Sequence, residues 1–313
     1  MSVKNVHIGY LLPTRESVME GRPEAEPLLN LAERAEKLGY DSVWVGDSLL
    51  ARPRHEPITL LAGVAGRTRR VKLGTAVLLP ALRNPVLLAH QVATLDQVSA
   101  GRVILGVGIA SDVPNIRAEF RAASVPFEKR VGTLLEGMRL CKAFWSGKPV
   151  DWNGRWQVEQ GVLAPTPHQP GGPPIWGGGS VPAALERAGK YFDGWFPNGP
   201  DAPVWGEHWR QVQAHARAAG RNAPEPAAYL TLAVDDNTSV AEQRINDFLQ
   251  AYYGRRPDVL KKTQACFAGP ASAAVDWLNG YVREGVRSIV LRFAGDHERH
   301  LDVFAKLRES LKA

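Results

Sequence analysis

Two hydrophobic patterns alternate along the chain: short β-branched runs, and longer stretches with apolar residues at helical spacing. Residues 71–108 show both. Val71 to Leu79 is a β-branched apolar run, which suits a strand buried on both faces. Pro85 to Ser99 carries apolar residues at helical spacing, and Gly101 suits the left-handed residue that follows a helix. Because Arg102 to Gly108 is a second apolar run, this stretch predicts a βαβ unit with parallel strands.

The same alternation continues over the rest of the sequence and predicts eight strands. They are Asn5–Leu12, Ser42–Gly46, Val71–Leu79, Arg102–Gly108, Pro173–Trp176, Gly194–Pro197, Ala227–Val234 and Ser288–Phe293. Eight strands alternating with helices predict an α/β fold, a (β/α)8 TIM barrel that spans residues 1–313 as a single domain. Insertion segments are expected after strands 4 and 7, with a hairpin around Asn153–Gly154. An open doubly wound sheet is the alternative, but Pro13-Thr14 follows strand 1 where its glycine-rich loop should stand.

Composition and charge narrow the class of protein. The 313 residues are 44% hydrophobic and 22% charged, as in globular proteins. The N-terminus lacks the pattern of a signal peptide, no apolar run is long enough for a membrane span, and the two cysteines make no disulfide framework. A cytoplasmic protein is therefore expected. The net charge of +6 is spread along the chain, which favours a solvated mixed surface over nucleic-acid binding and would assist a phosphate-bearing ligand.

In a barrel of this kind the active site is built from the carboxyl ends of the strands. The Gly177–Ser180 loop joins strand 5 to a helix, so its N–H groups could cradle a phosphate; a flexible turn is the alternative. Asp47 ends strand 2, either as a catalytic or cofactor-contacting group or as a cap or ion-pair partner of a loop arginine. Arg292 lies in strand 8, where a buried guanidinium needs an anion or many acceptors. Asp47 and Arg292 are the two candidates for catalysis, and no metal site is expected.

Several motifs together resemble the bacterial luciferase-like flavin oxidoreductases. The motifs are AERAEKLGYDSVWVGDS, VKLGTAVLLP, NPVLLAHQVATLDQVSAGRVILGVG, PFEKR, PPIWGGGS and FDGWFP, and they cover nearly the whole chain. The resemblance implies a (β/α)8 barrel with inserted segments. It also implies reduced FMN with oxygen, or a deazaflavin hydride carrier (coenzyme F420), bound at the carboxyl-terminal mouth of the barrel. Many members form homodimers, so a homodimer is expected.

The resemblance also implies roles for individual residues. A non-proline cis peptide that supports the isoalloxazine ring falls at Ala76–Val77, at the end of strand 3. The phosphate end of the cofactor maps to the glycine loop: Gly177, Gly178, Gly179 and Ser180. The chain departs from the family at two positions. Ser48 stands where many members have a histidine, and Ile109 stands where luciferases have an arginine that binds the FMN phosphate.

The function expected from these features is a flavin-dependent oxidoreductase, specifically a two-component monooxygenase that uses FMN and oxygen on a small organic substrate. The FMN would arrive reduced from a separate flavin reductase, because no nicotinamide fingerprint is present. One alternative is an F420-dependent hydride-transferring oxidoreductase, whose anionic cofactor tail would suit the basic loop Arg52–His55. Another is a flavin-binding protein without catalysis. Aromatic residues in the less patterned segments favour an apolar substrate: Trp152, Trp156, Tyr252, Tyr253 and Phe267.

Overall fold

A closed parallel barrel surrounded by helices forms the core of the computed structural model, which describes residues 6–311. The strands are β1 (His7–Leu11), β2 (Ser42–Val45), β3 (Lys72–Thr75), β4 (Val103–Val107), β5 (Val150–Asn153), β6 (Gln157–Gly161), β7 (Ile175–Gly177), β8 (Gly194–Trp195), β9 (Glu225–Val234), β10 (Cys266–Gly269) and β11 (Ser288–Phe293). Their order in the main sheet is β10-β9-β11-β1-β2-β3-β4-β7-β8, and β8 pairs in turn with β9. The predicted (β/α)8 barrel is confirmed.

The described residues include twelve α-helices. They are α1 (Glu16–Met19), α2 (Glu26–Lys37), α3 (Pro57–Arg67), α4 (Pro85–Val98), α5 (Pro114–Ala122), α6 (Arg130–Trp145), α7 (Pro182–Tyr191), α8 (Ala202–Ala218), α9 (Thr238–Tyr253), α10 (Pro257–Leu260), α11 (Ala271–Arg283) and α12 (His297–Leu307). Within residues 6–311, no helix is both long enough and apolar enough to cross a membrane.

Helix α4 shows how the local sequence sets an element. Asn84 caps it by accepting a hydrogen bond from the N–H of Val86 at 2.9 Å, and Pro85 occupies the first helical position. Beyond the helix, Ala100 and Gly101 have φ angles of 53° and 78°. Glycine adopts this left-handed conformation at little cost, so the chain turns here into β4 as the sequence predicts.

Three parts of the fold differ from the predicted elements. Strand β3 ends at Thr75 rather than Leu79, because the next residues leave the ladder and only Leu78 returns to it, in a single bridge with Val107. Strand β10 pairs with β9 in a stretch that has no strand pattern. The short helix α1 lies within residues 13–23, which have no helical pattern and for which a loop is expected. In contrast, the hairpin expected around Asn153–Gly154 is confirmed as the antiparallel pair β5–β6.

The chain forms two compact units. One consists of residues up to 12, residues 30–44 and residues from 176 onward, and its core includes stacked rings of Trp195, Trp205 and Trp209, with centroids 5.2–6.2 Å apart. The other consists of residues 13–29 and 45–175. The assignment of residues 1–313 to a single domain stays a prediction, and residues 1–5, with Asn5 of the predicted first strand, and 312–313 lie outside the described residues.

His300 ties α12 to the end of β9. It is fully buried, its Nε2 accepts a hydrogen bond from the N–H of Val234 at 2.9 Å, and its Nδ1 lies 2.7 Å from the carbonyl oxygen of Asp296. These partners require the neutral ring with its proton on Nδ1. Burial lowers the pKa of His300, and the Asp296 carbonyl opposes that shift only in part.

A pH-dependent loss of stability follows from this histidine. As the pH falls, His300 of the unfolded chain binds a proton near the ordinary histidine pKa of about 6.5, at a higher pH than His300 of the folded protein does. The free energy of unfolding should therefore fall as the pH drops below that value, by at most about 1.4 kcal/mol per pH unit. Urea unfolding between pH 5 and 8 measures this. His300→Gln keeps both hydrogen bonds without titrating and should flatten the curve, whereas His90→Gln, at an exposed position of α4, should not. Parallel curves for wild type and His300→Gln would refute the role.

Candidate active site

The segment after β3 forms a bulge, residues 76–79, which we call the strand-3 bulge. The Ala76–Val77 peptide is cis, as the family resemblance predicts. Leu78 bonds to β4 in both directions, its N–H to the carbonyl of Gly106 at 2.7 Å and its carbonyl to the N–H of Gly108 at 2.9 Å. A Cβ on Gly108 would collide with the side chain of Val77. The bulge therefore packs directly on the carboxyl end of β4.

Asp47 holds this bulge from the neighbouring strand. Its side chain is only 1% exposed. Oδ2 accepts hydrogen bonds from the N–H of Leu79 at 2.8 Å and from Arg83 Nη1 at 2.5 Å, and Oδ1 accepts from Arg83 Nη2 at 3.0 Å. Arg83 also donates to Glu56 at 3.2 Å. Because the described partners occupy both oxygens of Asp47, the structure favours the loop-arginine ion pair over a free catalytic carboxylate.

A buried glutamate that the sequence analysis missed fixes the loop after Asp47. Glu119 of α5 is 1% exposed. Its Oε1 accepts hydrogen bonds from the Ser48 hydroxyl at 2.8 Å, from the N–H of Leu50 at 3.0 Å and from the N–H of Leu49. Glu119 lies three residues after Ile116 and directly before Phe120, on the apolar face of α5. A carboxylate on that face was the available signal, since it must find buried donors.

This arrangement decides what Ser48 can do. Its hydroxyl donates to Glu119 and accepts from the N–H of Arg52 at 3.0 Å. The only proton of the hydroxyl is therefore committed inside the protein. Ser48 thus serves as a structural link between loop and helix, in place of the imidazole that the family resemblance implies here.

The Gly177–Ser180 loop joins β7 to α7 and has an open face. A Cβ on Gly178 would meet only the Phe196 carbonyl oxygen, at 3.6 Å. Gly179 has a φ of 96°, which favours glycine, and its carbonyl accepts from the indole N–H of Trp195 at 2.9 Å. The hydrogen bond from Trp195 thus fixes the loop on one side, while the loop is open at Gly178. The loop leads directly into the N-terminus of the ten-residue helix α7. Such a loop fits a phosphate.

Arg292 is 1% exposed and is surrounded by neutral groups. It donates to Thr231 Oγ1 at 2.6 and 2.9 Å, to the Tyr253 hydroxyl at 2.7 Å and to Gln264 Oε1 at 3.0 Å. Four aromatic rings lie 5.1–5.6 Å from the guanidinium carbon: Tyr229, Phe248, Tyr252 and Tyr253. Of the two environments that the sequence analysis left open, an anion or many acceptors, the described residues supply the acceptors together with aromatic rings, and no carboxylate among them contacts Arg292.

The remaining sequence candidates are dispersed. Ile109 follows β4 and is half-buried. Trp152 and Trp156 of the hairpin pack on α6, at Glu136 and Gly137 respectively, rather than at the carboxyl ends of the strands. Phe267 packs against Trp277 of α11 at a centroid distance of 5.5 Å. The described residues contain no group of three or more His, Cys, Asp or Glu that could hold a metal ion.

The fold defines an α/β-barrel protein, and candidate functional groups follow the carboxyl ends of strands in each of its two units: Asp47 and the strand-3 bulge in one, and the Gly177–Ser180 loop and Arg292 in the other. The sequence matches the luciferase-like monooxygenase family over residues 6–311, and the chain belongs to this family of oxidoreductases.

Individual relatives refine this assignment. The chain is 30% identical over 241 residues to a 5,10-methylenetetrahydromethanopterin reductase of Methanolobus tindarius, which covers 75% of this chain and 71% of that protein. It is 28% identical over 309 residues to an F420-dependent glucose-6-phosphate dehydrogenase of Nocardia farcinica, covering 89% and 91%. A solved F420-dependent secondary alcohol dehydrogenase, in complex with an F420-acetone adduct, has the same fold: the TM-score is 0.84 at 20% identity, over 99% of this chain and 100% of that one.

These relatives correct the function expected from the sequence. The main interpretation, a two-component monooxygenase with FMN as cofactor, is wrong: the relatives favour the F420 alternative instead. The physical reason for the error is that FMN and deazaflavin share a ring system, so the same barrel motifs serve both. The predicted flavin reductase belongs to the FMN interpretation alone.

The ion pair of Asp47 yields a stability prediction. Asp47→Asn leaves Arg83 without its buried partner, so the free energy of unfolding should fall by about 2–4 kcal/mol. Urea denaturation measures this. Glu56→Gln is the matched control, because Glu56 contacts the same guanidinium but its side chain is 44% exposed; its loss should stay below about 1 kcal/mol. Equal losses in the two variants would contradict the bracing role of Asp47.

Proposed function

We propose that this protein is an F420-dependent oxidoreductase that transfers a hydride between F420 and a small organic substrate. The observation that carries the proposal is the agreement among relatives that match along most of the chain. Matches covering 89% of the chain and 91% of the relative, from Nocardia farcinica, Mycolicibacterium fortuitum and Mycolicibacterium smegmatis, all have F420-dependent activities. Their identities of 28–29% support the cofactor more than the substrate.

The residues present fit such a cofactor. In this proposal the strand-3 bulge supports the ring through Ala76 and Val77, and Asp47 acts on the cofactor indirectly by holding Leu79. The open face at Gly178 receives the phosphate, with Gly177, Gly179 and Ser180 beside it. When bound, F420 supplies a ring carbon that accepts or donates the hydride. The protein contributes binding, orientation and exclusion of water.

Ile109 supports F420 over FMN. In luciferases, the residue after strand 4 is an arginine that binds the FMN phosphate, as the family resemblance implies. Here the half-buried aliphatic side chain of Ile109 cannot make that ionic contact. The anionic part of the cofactor must then be bound by other groups, and the glycine loop after β7 offers backbone N–H donors for it.

The two candidates for catalysis take different roles in this proposal. Asp47 braces the bulge and exchanges no proton with substrate, because its oxygens are bonded to Leu79 and Arg83. Arg292 remains a candidate for contact with a substrate group, because a buried guanidinium bonded only to neutral partners attracts an anion. The proton donor or acceptor of the reaction is not assigned to either.

The test is an anaerobic titration of the protein with F420 and, separately, with FMN. Binding is monitored by the quenching of tryptophan fluorescence. We expect F420 to bind at least about tenfold more tightly than FMN, a difference of about 1.4 kcal/mol. Gly178→Ala should weaken F420 binding without lowering stability, because its Cβ enters the open face and meets no close wall. Gly66→Ala is the matched control: its Cβ meets no atom within 4 Å, on helix α3. Preference for FMN, or equal affinity in both variants, would contradict the proposal.

A further inference from the structure

Arg54 belongs to the connection between β2 and α3, yet its guanidinium lies over the end of β2. A Cβ on Gly46 would collide with Arg54 Nη1 and would lie 3.6 Å from the carbonyl oxygen of Ala76. The Arg54 guanidinium and the carbonyl oxygen of Ala76, the first residue of the strand-3 bulge, therefore both lie within 3.6 Å of the position that a Cβ on Gly46 would occupy. Only glycine at this position leaves room for them.

A chain of hydrogen bonds holds Arg54 in this position. Its Nε donates to the carbonyl of Arg52 at 3.1 Å, and the N–H of Arg52 donates to the Ser48 hydroxyl at 3.0 Å. Ser48 is fixed in turn by the buried Glu119. Asn115 of α5 adds a bond to the carbonyl of Ala51 at 3.1 Å. The loop is thus ordered by α5, so little side-chain entropy remains for a ligand to remove from Arg54.

The residues of the basic loop face different surroundings. His55 Nε2 lies 2.8 Å from the carbonyl oxygen of Pro23, whereas the Arg54 guanidinium lies beside the bulge. The sequence interpretation grouped Arg52 to His55 as contacts for an anionic tail. In the structure Arg54 differs from His55, because its guanidinium lies near the strand-3 bulge, the segment proposed to support the ring.

We propose that Arg54 is a cofactor-binding residue that contacts the deazaflavin ring and stabilises its reduced form. This inference rests on the proposed function. Acceptance of a hydride brings an electron pair, and hence negative charge, onto the ring. A half-buried guanidinium fixed beside the ring stabilises that charge more strongly than a mobile surface arginine would.

The experiment measures the dissociation constants of oxidised and reduced F420 anaerobically, at one fixed pH. In Arg54→Met the reduced form should weaken about tenfold more than the oxidised form, which lowers the midpoint potential of the bound cofactor by about 30 mV. The quantity compared among variants is the ratio of the dissociation constant of oxidised F420 to that of reduced F420, which Arg54→Met should lower about tenfold. Arg54→Lys keeps the charge and should retain most of the wild-type ratio. Arg210→Met, on the outer helix α8 with a side chain 65% exposed, is the control and should leave the ratio unchanged.

A second variant tests the position of the side chain rather than its charge. Gly46→Ala displaces the guanidinium while Arg54 remains, so it should lower the same ratio. Both changes remove the same contact, the one between the Arg54 guanidinium and the ring. The double variant Gly46→Ala/Arg54→Met should therefore lower the ratio no further than Arg54→Met alone. Thermal unfolding of the free proteins identifies any variant that fails to fold.

The outcomes separate the two proposals. If wild type binds F420 and Arg54→Met leaves the ratio unchanged, the role of Arg54 is refuted while the proposed function stands. An equal change in Arg210→Met would also refute it. If wild type binds neither form of F420, the proposed function fails, and the role of Arg54 fails with it.

Discussion

The buried carboxylate of Asp47 is the interaction on which the candidate site depends. A bulge after a strand exposes backbone groups that no ladder satisfies, so a side chain must bond to them. Asp47 accepts from the N–H of Leu79, and the fork of Arg83 balances its charge. Leu78 bonds to the carboxyl end of β4 through both its N–H and its carbonyl oxygen. The bulge is therefore fixed by β2 on one side and by β4 on the other.

A second buried carboxylate extends this order to the loop after β2. Glu119 collects donors from Ser48, Leu49 and Leu50, and the loop in turn carries Arg54 back over Gly46. Two acidic side chains thus organise the carboxyl ends of β2 and β3. At the position where the family resemblance implies a histidine, Ser48 therefore belongs to this support, because its hydroxyl is bonded to Glu119 and to the N–H of Arg52.

Local patterns could predict most of the fold, because buried parallel strands and amphipathic helices have distinct periods. The segment Ser288–Phe293 is a strand in both prediction and structure. The strand-3 bulge and β10 depend on pairing with distant segments, which periodicity does not encode. The family resemblance supplied the cis peptide at Ala76–Val77, and the residues alone could not. Glu119 was missed because its role arises from contacts with residues 69–71 positions away in the sequence. Arg54 was grouped with the rest of the basic loop because its position depends on the small size of Gly46, which the sequence pattern does not reveal.

Hydrogen exchange with and without F420 tests the central claim most directly, that the strand-3 bulge and the glycine loop bind the cofactor. We predict slower exchange of the amides at residues 76–79 and 177–180 when F420 is added, because bound ligand shields them and suppresses local opening. The β5–β6 hairpin should exchange at the same rate in both states. Protection confined to other segments, or no protection at saturating F420, would contradict the account.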